Sequence, residues 1–166
     1  MGVLLAFPVI LILLILQTTL VSQVTLLSGC ADLLLLWLAA WGLQKQVKSI
    51  WVWTVIIAVS IAYISAIPWF VPLICYPVVT LLTNIINKRI WQSPLLMMFL
   101  VTIVGSMLMN GLSFIALRFT GVSIPLRTGL IEVIIPSVLI NLLLALPIFA
   151  IARDMAQWAY PLEAVE

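Results

Sequence analysis

A chain without a single histidine has lost the commonest general base, proton shuttle and metal ligand before any geometry is considered. What remains for chemistry is five carboxylates (Asp32, Glu132, Asp154, Glu163 and Glu166) and two cysteines, Cys30 and Cys75. The last three carboxylates lie at or beyond the end of the final apolar segment, and no pair of acids falls on one apolar face. The cysteines are far apart, with no CxxC spacing, so neither a metal set nor a redox motif is formed. Metal-assisted or aspartyl chemistry needs a cluster of such groups. The expectation is therefore a protein that is not an enzyme, with no cofactor and no metal.

Uncharged polar residues are better organised. Thr102, Ser106, Asn110 and Ser113 recur at helical spacing and form one stripe, and Thr80, Thr83, Asn84 and Asn87 form another. Such stripes serve either as hydrogen-bonding glue between helices or as the lining of a small polar cavity. Glue is the favoured reading, because nothing charged accompanies them. Ala58, Ala62 and Ala66 make a small-residue face that admits another helix closely, either from this chain or from a partner. Glu132 stands near the start of the last apolar segment. Arg127 and Arg118 are its candidate partners, and a helix-start carboxylate favoured by the dipole is the plainer alternative. Pro136 and Pro147 free carbonyls that Ser137 or Asn141 could help satisfy, and they should bend that helix.

The elements that carry these residues follow from composition. The 166 residues are 66% hydrophobic and 7% charged, with mean hydropathy +1.36, well beyond a water-soluble domain. The apolar runs are long and continuous rather than alternating, so helices satisfy the backbone in lipid and a barrel is excluded. The expected fold is all-α: a single integral membrane domain over residues 1–166 with six transmembrane helices at about 3–22, 32–44, 51–67, 71–87, 94–117 and 130–152. The second span is short, about 16 Å at 1.5 Å per residue, and should sit among longer neighbours. A two-residue turn near Trp69 and Phe70 should join the third span to the fourth. Asp32 should cap the second helix, and Pro94 should open the fifth. Leu27-Ser28-Gly29-Cys30 has the look of a lipoprotein cleavage box, but no Lys or Arg precedes the apolar run and Gln17-Thr18-Thr19 interrupts it, so retention as a first span is expected.

With six spans, Lys45, Lys48, Lys88, Arg89 and Arg153 share one side and Arg118 and Arg127 the other, which places both termini in the cytoplasm. Trp51, Trp91 and Trp158 near the inner boundary and Trp69 near the outer one fit interfacial belts. A net charge of +2, scattered between apolar segments, argues against nucleic acid as a partner. No internal repeat is evident, which leaves an inverted-repeat transporter unsupported.

Asn87-Lys88-Arg89-Ile90-Trp91-Gln92-Ser93-Pro94-Leu95, a basic turn entering a helix, is followed by Glu132-Val133-Ile134-Ile135-Pro136-Ser137-Val138-Leu139-Ile140-Asn141 and a leucine-rich run through Pro147. Nearer the start stand Gln17-Thr18-Thr19-Leu20 and Asp32-Leu33-Leu34-Leu35-Leu36. In this order of features the chain resembles the rod shape-determining MreD family of the bacterial inner membrane, over roughly half its length. The middle departs: Tyr63-Ile64-Ser65-Ala66-Ile67-Pro68-Trp69 stands where many members have a glycine-rich, acidic junction. The resemblance implies a non-enzymatic scaffold that binds MreC, works with RodA, a class B penicillin-binding protein and MreB, and helps position peptidoglycan synthesis. It also implies a bundle like the substrate-binding subunits of energy-coupling-factor transporters. A small-molecule (vitamin) binding subunit of a membrane transporter is the alternative, with the two polar stripes lining its pocket.

Overall fold

Helices account for all the regular structure in the computed structural model, which describes residues 6–21, 28–47, 49–89, 93–121 and 125–160, the side chains of 20, 21, 88, 89 and 126 excepted. Expectations resting on Lys48, Trp91, Glu163 and Glu166, or on the side chains of Lys88 and Arg89, fall outside this description. In chain order the helices are α1 (Ala6–Leu16, running on into a π-helical turn at Gln17–Val21), α2 (Leu33–Gly42), α3 (Ile50–Ile64), α4 (Phe70–Arg89), α5 (Pro94–Phe119) and α6 (Ile135–Ala159). One α turn at Leu126–Thr128 and a π-helical stretch at Gly129–Ile134 lead directly into α6.

Successive helices alternate in direction. Gln17, at the end of α1, bonds the backbone at the start of α2, while Gly42, at the end of α2, meets Thr83 and Asn87 near the end of α4. Thr54, early in α3, reaches Thr80, late in α4, and Ser106, midway along α5, bonds Asn141, early in α6. Lys45, the start of α5 and the end of α6 thus share one end of the bundle, which they also line together. Asp32 and the start of α6 share the other.

The shortest helix is the most enclosed. Every residue from Leu34 to Leu43 is buried, because α2 is apolar on all sides and packs against α3, α4, α5 and α6. Asp32 caps it: Oδ1 accepts the Leu35 amide at 3.0 Å. Gly42 allows close approach, since a Cβ there would collide with Ile50 and would lie 2.9 Å from the Thr83 hydroxyl. Trp37 and Trp41 of α2 stack at 5.7 Å, and Trp53 of α3 closes on Trp41 at 4.9 Å, forming a buried aromatic cluster.

The surface is inverted relative to a protein in water. Threonine, serine and asparagine side chains (Thr54, Thr80, Thr83, Thr102, Ser106, Asn141) are buried, while Phe7, Leu11, Leu96, Met107, Leu143 and Ile151 point outward. Three helices are long and apolar enough to cross a membrane: Phe70–Asn87, Pro94–Phe119 and Gly129–Ala159. Trp51 and Trp158 are exposed toward the Lys45 end, and Trp69 is exposed at the opposite one. Pro94 occupies the first turn of α5, as its ring geometry favours.

Two boundaries differ from expectation. α3 stops at Ile64 because Ser65 turns extended, its hydroxyl accepting the Ile67 amide at 3.2 Å, and Pro68 disfavours helical backbone just before it. A five-residue connection, 65–69, therefore replaces the two-residue turn. The last helix continues past residue 152 to Ala159, with Ala152 and Ala156 still packed on the core.

Candidate functional site

The non-helical segment 28–32 lies against the start of α6, and three of its backbone groups bond side chains from other elements. Pro136 has no amide to offer the carbonyl four residues earlier, and that carbonyl, of Glu132, accepts the Ser28 N–H at 3.0 Å. The Ser137 hydroxyl accepts the Cys30 N–H at 3.2 Å, and Asn141 Oδ1 accepts the Asp32 N–H at 2.8 Å. Gln17 clamps from the other side: its Nε2 donates to the Ala31 carbonyl at 2.7 Å, and its Oε1 accepts the Leu33 amide at 2.8 Å. Gly29 permits this contact, since a Cβ would stand 2.6 Å from Ser137 N and 2.8 Å from Pro136 Cβ.

Asp32 is the hub. Besides capping α2, its carboxylate receives the Tyr76 hydroxyl at 3.3 Å to each oxygen. Asn141 extends the network by donating Nδ2 to Ser106 Oγ at 2.7 Å. Among the described residues no Lys or Arg stands within ion-pair distance of Asp32; the carboxylate is held by the helix start and by neutral donors. Both π-helical segments flank this hub, a placement common where helices carry function.

Beside the hub opens a cavity of about 330 Å³, with Gln17, Asp32, Asn110 and Ser113 as its polar lining and Met109, Phe114, Leu117 and Val133 among its apolar walls. Asn110 Nδ2 donates one N–H to the Ser106 carbonyl at 2.8 Å and Ser113 donates to the Met109 carbonyl at 2.7 Å, which among the described residues leaves the Asn110 carboxamide oxygen and the Ser113 lone pairs without a donor. The lining therefore offers acceptors, and it suits a small molecule that donates hydrogen bonds from an apolar body.

The structure divides each polar stripe. On α5, Ser106 is glue to α6, Asn110 and Ser113 line the cavity, and the Thr102 hydroxyl is buried with no partner among the described residues. On α4, Thr80 meets Thr54 across α3 at 2.6 Å, Thr83 folds back to the Thr80 carbonyl, and Asn87 donates to the Gly42 carbonyl at 3.4 Å. Asn84 is half-buried and makes no hydrogen bond among the described residues, and none of these four residues lines the cavity. Of the second stripe, Thr80 and Asn87 bridge helices.

The alanine face is split as well. Ala58 is buried inside the bundle. Ala62 lines a surface groove of about 490 Å³ with Val59, Tyr63, Trp69 and Leu73. Ala66 lies exposed beyond the end of α3 and does not continue the face. Pro136 and Asn141 are buried, Pro136 against the 28–32 segment and Asn141 between that segment and α5. Glu132 is exposed in the first turn of the π-helical stretch and pairs with neither Arg118 nor Arg127, so the helix-start reading describes its position. The carbonyls freed near Pro136 also go elsewhere than expected: Ser28, not Ser137 or Asn141, satisfies Glu132.

The sequence marks Gln17 only as part of a polar break and of the resemblance, and does not single out Tyr76 or the Trp37/Trp41/Trp53 cluster as site residues. A polar glutamine interrupting an apolar run was the one available signal, and it resembled a simple break. Tyr76 and the tryptophans resemble any aromatic residue in an apolar helix. The three indole N–H groups are buried without partners among the described residues.

Compared with family models, with curated proteins and with solved structures, the chain matches none. Fold and surface define its class: among the described residues an all-helical protein, with three helices long and apolar enough to cross a membrane, built around one short helix buried from Leu34 onward.

Proposed function

We propose that the chain is a non-enzymatic, six-span scaffold of the bacterial cell-elongation machinery in the inner membrane. In this reading it holds the transmembrane helix of MreC and helps position peptidoglycan synthesis, with RodA, a class B penicillin-binding protein and MreB as further members of the assembly. Both termini and the Lys45/Arg153 end are cytoplasmic, by the excess of positive charge there. Support comes from the resemblance of the Glu132–Asn141 segment and its flanks to the MreD family. The interior supports it too, since most buried polar side chains are spent on bonds within and between helices. The segment that carries the resemblance is the one that clamps 28–32, which makes it architectural rather than partner-facing.

The observation that carries the docking surface is the groove between α3 and α4, where Ala62 is the small floor and Tyr63 and Trp69 are exposed aromatic walls. A small residue flanked by aromatics admits a partner helix closely. The test is co-purification of a single-span MreC partner with Ala62→Trp, which fills the groove without touching the hub. Lost capture is expected, with unchanged folding judged by Cys75 remaining inaccessible. Full capture by the variant would remove this groove from consideration.

The cavity beside Asp32 favours a second reading, a small-molecule binding subunit whose ligand donates hydrogen bonds to Asn110, Ser113 and the Asp32 carboxylate. A thermal-shift screen with vitamins and lipid precursors distinguishes the two. Saturable stabilisation, with protection of the cavity-lining Cys30 from alkylation, is the signature of a ligand; a flat response leaves the scaffold.

A further inference from the structure

At the Lys45 end, away from the hub, a cleft of about 690 Å³ opens between the loop after α2, the start of α5 and the last turns of α6. Its residues on α6 are graded. Leu146, Phe149 and Ala150 are followed, on the same face at three- and four-residue steps, by Arg153 and then Gln157. Apolar wall thus gives way to cation and then to amide as the helix approaches its end. Gln44 and Lys45 line the cleft from the loop after α2.

The third side of the cleft is the beginning of a 26-residue helix. Pro94 and Leu95 line it, and Ser93, the residue before the helix, makes no side-chain bond to the first-turn amides. A helix start of this kind carries partial positive charge and open N–H groups, the arrangement that receives phosphate. Arg153 engages Asp154 through Nε at 3.2 Å, and both side chains are more than half exposed. Among the described residues its two terminal nitrogens make no hydrogen bond.

We infer that this cleft holds a phospholipid with an anionic headgroup, its phosphate between Arg153, Lys45 and the start of α5, and its acyl chains along Leu146, Phe149 and Ala150. A charged head needs the cationic end and a hydrocarbon chain needs the graded apolar wall; a soluble phosphate would use only the first, and an apolar partner helix would use only the second. The assignment requires only that the chain lies in a bilayer, and it stands or falls independently of the scaffold reading.

The test is native mass spectrometry of the full chain released from detergent containing phosphatidylglycerol or phosphatidylethanolamine. Phosphatidylglycerol should be retained about tenfold more strongly, as two cations near a headgroup imply after partial compensation by Asp154. The double variant Lys45→Gln/Arg153→Gln should bring retention down to the phosphatidylethanolamine level. Ala150→Trp, which fills the apolar part and leaves the charge alone, should reduce retention of both lipids, while Arg118→Gln at the opposite end should change nothing. Equal retention of the two lipids by the unmodified protein, or an undiminished preference in the double variant, overturns the inference. So does displacement of phosphatidylglycerol by soluble glycerol 1-phosphate at equal concentration, which would make the cleft a free-phosphate site.

Discussion

Replacing Asn141 by leucine removes one carboxamide from the point where three elements meet. In the native chain its oxygen takes the Asp32 amide at 2.8 Å and its nitrogen donates to Ser106 at 2.7 Å, with the side chain 1% exposed. The two losses are unequal. Ser106 sits in a helix and can turn its hydroxyl to a carbonyl of its own α5, so its share is small, of order 0.6 kcal/mol as for typical interhelical bonds in membranes. The Asp32 N–H lies on a non-helical segment and uses Asn141 as its acceptor; leaving it unpaired costs about 1–3 kcal/mol. The sum is about 2–4 kcal/mol, a shift of more than tenfold in the unfolding constant. By contrast, Thr54→Val should cost less than about 1 kcal/mol, because Thr80, the partner it abandons, still has the Tyr76 carbonyl at 3.0 Å. Reversible unfolding in mixed micelles of Asn141→Leu, Ser106→Ala and the double variant measures this. The cycle should assign most of the loss to Asp32 rather than to Ser106. An Asn141→Leu protein within about 0.5 kcal/mol of the native one would refute the reasoning that the hub holds the start of α2 in place.

Gly29→Ala should destabilise by about 2–4 kcal/mol, measured the same way, because the added carbon meets α6 backbone at Ser137 N, 2.6 Å away, and must push the 28–32 segment off its bonds. Thr102→Val should be neutral or stabilising by up to about 1 kcal/mol, since it deletes a buried hydroxyl with no partner among the described residues while keeping its shape; a clear loss in a thermal melt would reveal a partner for that hydroxyl. In sealed cells a membrane-impermeant maleimide added from outside should label the exposed Cys30 and not the buried Cys75, with Cys75 reacting only after denaturation. Labelling of Cys30 solely after the membrane is opened would reverse the proposed orientation.

Reading along the chain was enough to define the solvent. Continuous apolar runs broken by short polar turns require helices wherever water is absent, and the structure has helices near all six expected positions. Local capping was legible for the same reason: Asp32 three residues before Leu35, and Pro94 at a helix start, act through neighbours in sequence. What folding alone decided is pairing across distance. Asp32 to Asn141 spans 109 residues and Cys30 to Ser137 spans 107, and nothing in an apolar sequence with several candidate amides marks which will meet. Periodicity placed Ser106, Asn110 and Ser113 on one stripe, but their division into glue and cavity lining depends on how far α6 reaches along α5 before the bundle opens. The alanine face shows the same limit, because where α3 ends at Ile64 decides that Ala66 leaves the stripe and Ala62 becomes the floor of a groove. Sequence sets which residues shun water and where backbone must turn, because those are properties of neighbours; which polar group finds which is set by packing, where a donor bonds whatever acceptor the helices bring within about 3 Å.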